Sequence, residues 1–310
     1  MSSSGAPRIG LVGCGRWGSL ILRDLRALGA TVDVVVRCRD GDRDRDVLAM
    51  GARAVSGSIG DLAGVDGVVV ATPSASHAEV LDVVLELGVP TFVEKPLTCD
   101  AVSARRLAEV APDRLFVMDK WRYHPGVEAL RDLLAEGRLG SLEGLRTVRV
   151  QWQNPHNDAD CAWILLPHDL SIALEVVGEI PTPVGAVGWT RDDELAGLLG
   201  TLRFSDGAWM HVEVGITATT SNRRIEVIGS EATAVLAGGW EEEVLVQHAA
   251  ADGSLVEERL PASGGLPLLA ELGCFVENLR GGRPPRSSAS EGAAIVGAVE
   301  QLRHLAGVSG

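Results

Sequence analysis

The chain has 310 residues, 46% of them hydrophobic and 23% charged, and a formal net charge of −14; that length calls for about two cores, each large enough to fold without staples. The negative field repels phosphates and anionic headgroups, which argues against a nucleic-acid or membrane partner and requires any bound phosphate to be held by a local site. Five scattered cysteines, with no CxxC pair, imply neither a disulfide framework nor a zinc centre, and the seven histidines show no metal-ligand spacing, so no metal is expected.

The opening residues are small and polar, and nowhere is there an apolar run of about 18 residues. The sequence therefore predicts a soluble cytoplasmic protein with no leader or membrane span. From Arg8 the pattern is apolar strand (9–12), glycine turn, helix (20–28) and second strand (31–36), a βαβ unit. The turn reads Gly13-Cys14-Gly15-Arg16-Trp17-Gly18. Gly13 makes the tight turn, Gly15 lets backbone approach a pyrophosphate, and Gly18 allows close helix packing. In this context the motif predicts a dinucleotide site.

At the end of the second strand, an acidic side chain would bind the ribose of NAD and repel a 2′-phosphate. The chain instead reads Arg37-Cys38-Arg39. Arginine forks suit a phosphate monoester, so NADP is favoured over NAD. Asp40 keeps NAD open, and the arginines also fit a solvated surface run extending to Asp46. Strands then alternate with helices through 54–55, 65–71, 77–87, 91–93, 101–111 and 115–118, which calls for a doubly wound parallel sheet. In such a sheet ligands sit beyond the carboxyl ends of the strands, where Thr72-Pro73 and Glu94-Lys95-Pro96 fall.

Near residue 121 the texture changes to a helix (127–136) and β-rich segments at 145–152, 198–204, 209–216, 224–228, 232–236 and 243–248. Short turns between them imply a second, α+β domain with a large, mainly antiparallel sheet. Helices are predicted at 167–177, 266–279 and 291–305. The expected division is a dinucleotide-binding domain over 1–121 and a substrate-binding and oligomerisation domain over 122–310, with one sheet face left for a homodimer or homotetramer contact.

All but two of the 28 basic residues are arginine, the exceptions being Lys95 and Lys120. Arginine stays protonated at working pH, whereas a desolvated lysine can shift its pKa and exchange a proton. Lys95 is therefore a candidate for chemistry.

The glycine loop, Ala71-Thr72-Pro73-Ser74 with His77, Glu94-Lys95-Pro96, Arg122-Tyr123-His124-Pro125 and Pro167-His168-Asp169-Leu170 together resemble the glucose-fructose oxidoreductase, inositol dehydrogenase and MocA superfamily. The last of these elements resembles members acting on nucleotide-linked sugars. The resemblance implies hydride transfer between a nicotinamide cofactor and a ketone or carbinol carbon of a sugar or polyol. It implies that Thr72, Pro73 and His77 line the cofactor, that Glu94 and Pro96 shape the loop, and that Lys95 and His168 face the substrate. Family members commonly carry an aspartate four residues before the histidine, a position held here by Ile164. Arg122, Tyr123, Asn154 and Trp163 are further substrate candidates, and Trp163 fits core packing equally. Asp169 reads as a helix N-terminal charge. Reduction of a cyclic imine and a non-catalytic NADP-binding sensor are the alternatives.

Overall fold

A computed structural model describes residues 5–38, 40–154, 158–239 and 241–308. The chain divides into two compact units: residues 1–120 with 266–296, and residues 121–265 with 297–310. The break at 120/121 falls at the change of sequence pattern. Residues 266–296, expected in the second domain, instead count with the first.

The first unit carries β1 (Arg8–Val12), α1 (Arg16–Ala27), β2 (Thr31–Val35), α2 (Gly41–Ala49), β3 (Ala54–Ser56), β4 (Gly67–Val70), α3 (His77–Val84), β5 (Thr91–Glu94), α4 (Ala101–Val110) and β6 (Leu115–Met118). The six strands form one parallel sheet in the order β3-β2-β1-β4-β5-β6. The glycine loop thus leaves β1 at the centre, Thr72-Pro73 follows β4, and Lys95 follows β5. Strands β4 and β6 are buried along their whole length, as the continuous apolar runs require for a sheet covered on both faces.

The second unit carries α5 (Pro125–Ala135), β7 (Leu142–Trp152), α6 (Cys161–Val177), β8 (Thr182–Arg191), β9 (Glu194–Arg203), β10 (Trp209–Gly215), β11 (Thr217–Gly229), β12 (Thr233–Leu236), β13 (Glu243–Ala249) and β14 (Leu255–Pro261). Eight strands form one sheet, antiparallel except where β10 runs parallel to β7. Helix α6 packs on one face, against β7, β9 and β10.

Helices α7 (Pro267–Leu279) and α8 (Ala289–Leu305) close the chain. Residues 266–279 belong with the first unit because α7 packs on α1 and Phe275 stacks on Phe92, with ring centroids 5.1 Å apart. Helix α8 begins earlier than its apolar pattern does. Ser288 Oγ accepts from the Glu291 amide while the Glu291 carboxylate accepts from the Ser288 amide, a capping box that secures the first turn.

Helix α6 departs most from expectation. A proline is well placed in a helix's first turn, which sets the predicted start at Pro167. The helix instead starts at Cys161, because Asp160 Oδ1 accepts from the amides of Ala162 and Trp163 at 3.0 and 3.2 Å, and Pro167 lies inside it. Asp169 is consequently mid-helix and buried, not an N-terminal charge. Helix α2 and strands β8 and β14 have no counterpart in the sequence reading. In α2 only Val47 is buried, and β14 is largely exposed along its length, so neither shows a usable hydrophobic period. Among the described residues no helix is long and apolar enough to cross a membrane.

Candidate active site

The glycine loop is built as its spacing requires. Gly13 has φ +96°, and a Cβ there would lie 2.5 Å from the Ala71 carbonyl oxygen. A Cβ on Gly18 would lie 2.3 Å from the Gly13 carbonyl oxygen, whereas one on Gly15 would meet nothing within 4 Å. Open space therefore lies over Gly15, where α1 starts without a side-chain cap and leaves its first amides for an anion. On the neighbouring strand end, the buried Thr72 Oγ1 has no hydrogen-bond partner among the described residues. Exposed amides, clear space and an unmatched hydroxyl fit a dinucleotide pyrophosphate. Burial pushes the Cys14 thiol up, with Arg43 opposing, so Cys14 serves as packing in the loop.

Beyond β2, Arg37 and Cys38 are exposed, while Arg39 lies outside the described residues. Asp40 caps α2 by accepting from the Asp42 amide at 3.2 Å, which gives that carboxylate a structural task. Arg43, in the first turns of α2, reaches the Cys14 carbonyl oxygen with Nη2 at 3.4 Å. In the sequence Arg43 stands as one charge in a surface run, with nothing local to join it to the glycine loop.

At the end of β5, Lys95 is half-buried and its backbone N–H donates to Glu94 Oε2 at 3.2 Å. The other carboxylate oxygen of Glu94 accepts from Trp17 Nε1. Lys120 Nζ stands 4.5 Å from the centre of the Trp17 ring. Both lysines of the chain thus converge on Glu94: burial raises its carboxyl, and the charges of Lys95 and Lys120 pull against the rise. Behind it Glu271 of α7 is 1% exposed, and its carboxyl is pushed well above the usual range by burial and by the nearby Glu94 and Asp119. Neither Glu271 nor Asp119 was legible as part of this cluster, because each enters from a distant stretch.

His77 does not reach outward to a cofactor. It is fully buried, with Nδ1 2.8 Å from the Pro96 carbonyl oxygen and Nε2 3.0 Å from that of Thr72. It joins the loops after β4 and β5, and so acts through their positions.

In the second unit, His168 is half-buried on α6 with its ring edge-on to Trp121, centroids 6.5 Å apart. Trp121 stacks on His124 at 4.9 Å and lies under the Arg149 guanidinium at 4.6 Å. Asp169 accepts both arms of Arg149 at 3.1 and 3.3 Å. Arg122 is held in a buried ion pair with Glu175 at 3.0 Å, and Glu175 also takes Arg131. That pairing ties Arg122 to α6 as a structural cation. Tyr123 is 5% exposed, and Trp163, also buried, sits under Arg303, which pairs with Asp160 at 2.8 Å. Asn154 Nδ2 donates to the Ala159 carbonyl oxygen at 3.0 Å. Ile164 is 2% exposed and packs in the core.

Residues 7–116 match the family model for the GFO/IDH/MocA oxidoreductases with an NAD-binding Rossmann fold, and residues 127–235 match that family's C-terminal domain. The chain belongs to the GFO/IDH/MocA oxidoreductase family. It is 28% identical over 223 residues to UDP-N-acetylglucosamine 3-dehydrogenase of Acidithiobacillus ferrooxidans, covering 70% of this chain and 67% of that one. It is 37% identical over 145 residues to inositol 2-dehydrogenase of Renibacterium salmoninarum, a match covering 43% of each chain. A solved complex of levoglucosan dehydrogenase with NADH and levoglucosan shares the fold, with a TM-score of 0.86 at 18% identity over 97% of both chains. The parallel sheet of β1–β6 and the large mixed sheet of β7–β14 are the two sheets that this family membership leads one to expect.

Proposed function

We propose that the chain is an NADP-preferring dehydrogenase that moves a hydride between nicotinamide and a secondary alcohol or ketone carbon of a sugar, the sugar being nucleotide-linked. The observation that carries the reading is Lys95 at the carboxyl end of β5, in the same parallel sheet as the glycine loop and one strand beyond Thr72-Pro73. The kinship with a dehydrogenase of a UDP-linked sugar supports the substrate class.

When bound, the nicotinamide supplies or accepts the hydride. The residues of the chain then have separable tasks. The α1 amides and the open space over Gly15 hold the pyrophosphate. Arg43, with Arg37, offers guanidinium to a ribose 2′-phosphate, since Asp40 is spent on capping α2. The Lys95 ammonium stabilises negative charge on the oxygen of the reacting carbon, and His168 takes or returns the hydroxyl proton. Glu94, fixed by Trp17, accepts from the Lys95 backbone N–H and so holds the strand end that carries Lys95.

Lys95→Ala should lower kcat by about 10²–10⁴-fold, the range for loss of one acid–base or charge-stabilising group, while leaving the NADPH Kd nearly unchanged. Absorbance loss at the nicotinamide band with a panel of ketosugars reads kcat, and fluorescence titration reads Kd. Equal turnover in the two proteins would remove Lys95 from the chemistry, and binding without turnover on every sugar would favour a sensor. Arg43→Ala should weaken NADPH by about tenfold, the size of one charge-assisted hydrogen bond, and leave NADH binding unaltered; equal losses would argue for NAD.

A further inference from the structure

Strands β7 and β11 pair antiparallel, and on the face that α6 covers the register sets Leu145 opposite Val227, Thr147 opposite Ile225, and then Arg149 opposite Arg223. The first two pairs are buried, as is Arg149 at 4% exposed, while Arg223 is half-buried. Like charges directly opposite on a sheet repel, and the repulsion grows as water is removed. One carboxylate answers both guanidinium groups, and Asp169 gives both of its oxygens to Arg149. Among the described residues, Arg223 has a long contact, Nη2 to Gln151 Oε1 at 3.4 Å, and its buried Nε has no acceptor. Burial, with Arg149 beside it, pushes the Arg223 guanidinium below its usual range, and Asp169 only partly opposes the shift. Next to the pair the chain supplies Gly238 and Gly239, and a Cβ on Gly239 would lie 3.3 Å from Arg223 Cδ. The neighbouring Arg224 is answered by Glu226 at 2.7 Å, so the deficit is confined to Arg149 and Arg223.

We propose that Arg149 and Arg223 form a subsite for an oxyanion carried by the substrate, either a phosphate ester or a carboxylate. The proposal rests on the dehydrogenase reading above and specifies which part of the substrate this surface takes. Arg223, whose Nε lacks an acceptor, offers its own fork to such an anion, while Arg149, already held by Asp169, adds positive charge from the strand opposite. The subsite adjoins the proposed proton carrier, because Asp169 follows His168 in α6 and Trp121 touches both the Arg149 guanidinium and the His168 ring. It also answers the requirement set by the net charge of −14, that a phosphate be held locally.

The test is calorimetric titration of the full chain, saturated with NADPH so that the glycine loop is filled, with inorganic pyrophosphate in one arm and glucuronate in the other. The anion that binds wild type, and binds Arg223→Gln at least tenfold more weakly, identifies the oxyanion, and added salt should weaken it steeply. Arg223→Lys keeps the charge without the fork and should fall between the two; it carries the test if Arg223→Gln does not fold. Binding that is equal in wild type and both variants, or absent for both anions in wild type, overturns the subsite. Turnover separates the two readings. Turnover with KM for charged and neutral sugars unchanged by Arg223→Gln overturns the subsite and leaves the dehydrogenase. Arg223-dependent anion binding without turnover on any sugar supports the oxyanion site and removes the activity.

Discussion

Glu271 shows how much a single side chain can report about the ground on which Lys95 stands. Its carboxyl is buried beside Glu94 and Asp119 and is held well above the usual range. An acid whose folded pKa exceeds its unfolded value, about 4.3 for glutamate, binds a proton in the native state that the unfolded chain has released. Its stabilising contribution is complete below that value and is lost as pH rises toward the folded pKa. Glu271→Gln, which cannot ionise, should leave Tm little changed near the unfolded value and raise it increasingly toward neutrality. Thermal unfolding across that range checks the sign; a Tm difference that shrinks with rising pH would show the native carboxylate to be ionised and paired. Lys120 belongs to the same neighbourhood. Its rarity was visible in the sequence, but its place over Trp17 was not, because nothing local joins residues 17 and 120.

At the scale of elements, what could be read from sequence was whatever a few neighbouring residues decide. The glycine loop, the parallel strands and the β5 end bearing Lys95 were legible, since a turn glycine or an apolar run fixes each locally. The start of α6 was misplaced because Asp160 outbids Pro167 as the beginning of the helix, and Asp169 was misread with it. The pairing of Arg149 with Arg223 depends on register across 74 residues of chain, which no periodicity states. His77 is a case in between: its position in the motif was plain, but its task was not. By facing the carbonyls of Thr72 and Pro96 it fastens two strand-end loops. His77→Ala should cost about 1–3 kcal/mol for the carbonyl that loses the imidazole N–H, read by urea unfolding. It should also loosen NADPH binding while sparing the pH profile of kcat. A shifted profile with unchanged stability would instead make His77 a participant in proton transfer.

For the whole molecule, the face of the eight-stranded sheet away from α6 exposes Val187 at 67% and Leu199 at 49%. We expect a second copy of the chain to cover this face, giving a homodimer or a homotetramer. Val187→Glu should shift sedimentation toward the monomer; an unchanged profile, or a monomeric wild type, would move the contact elsewhere or remove it. The return of residues 266–296 to the first unit has a further consequence, for synthesis. Phe275 must reach Phe92 before that core is complete, and the ribosome delivers it only after residues 121–265 have emerged. The nucleotide-binding unit, first to be translated, is therefore among the last to close, and a nascent chain stopped at Gly265 should expose the apolar seat of α7 to chaperones.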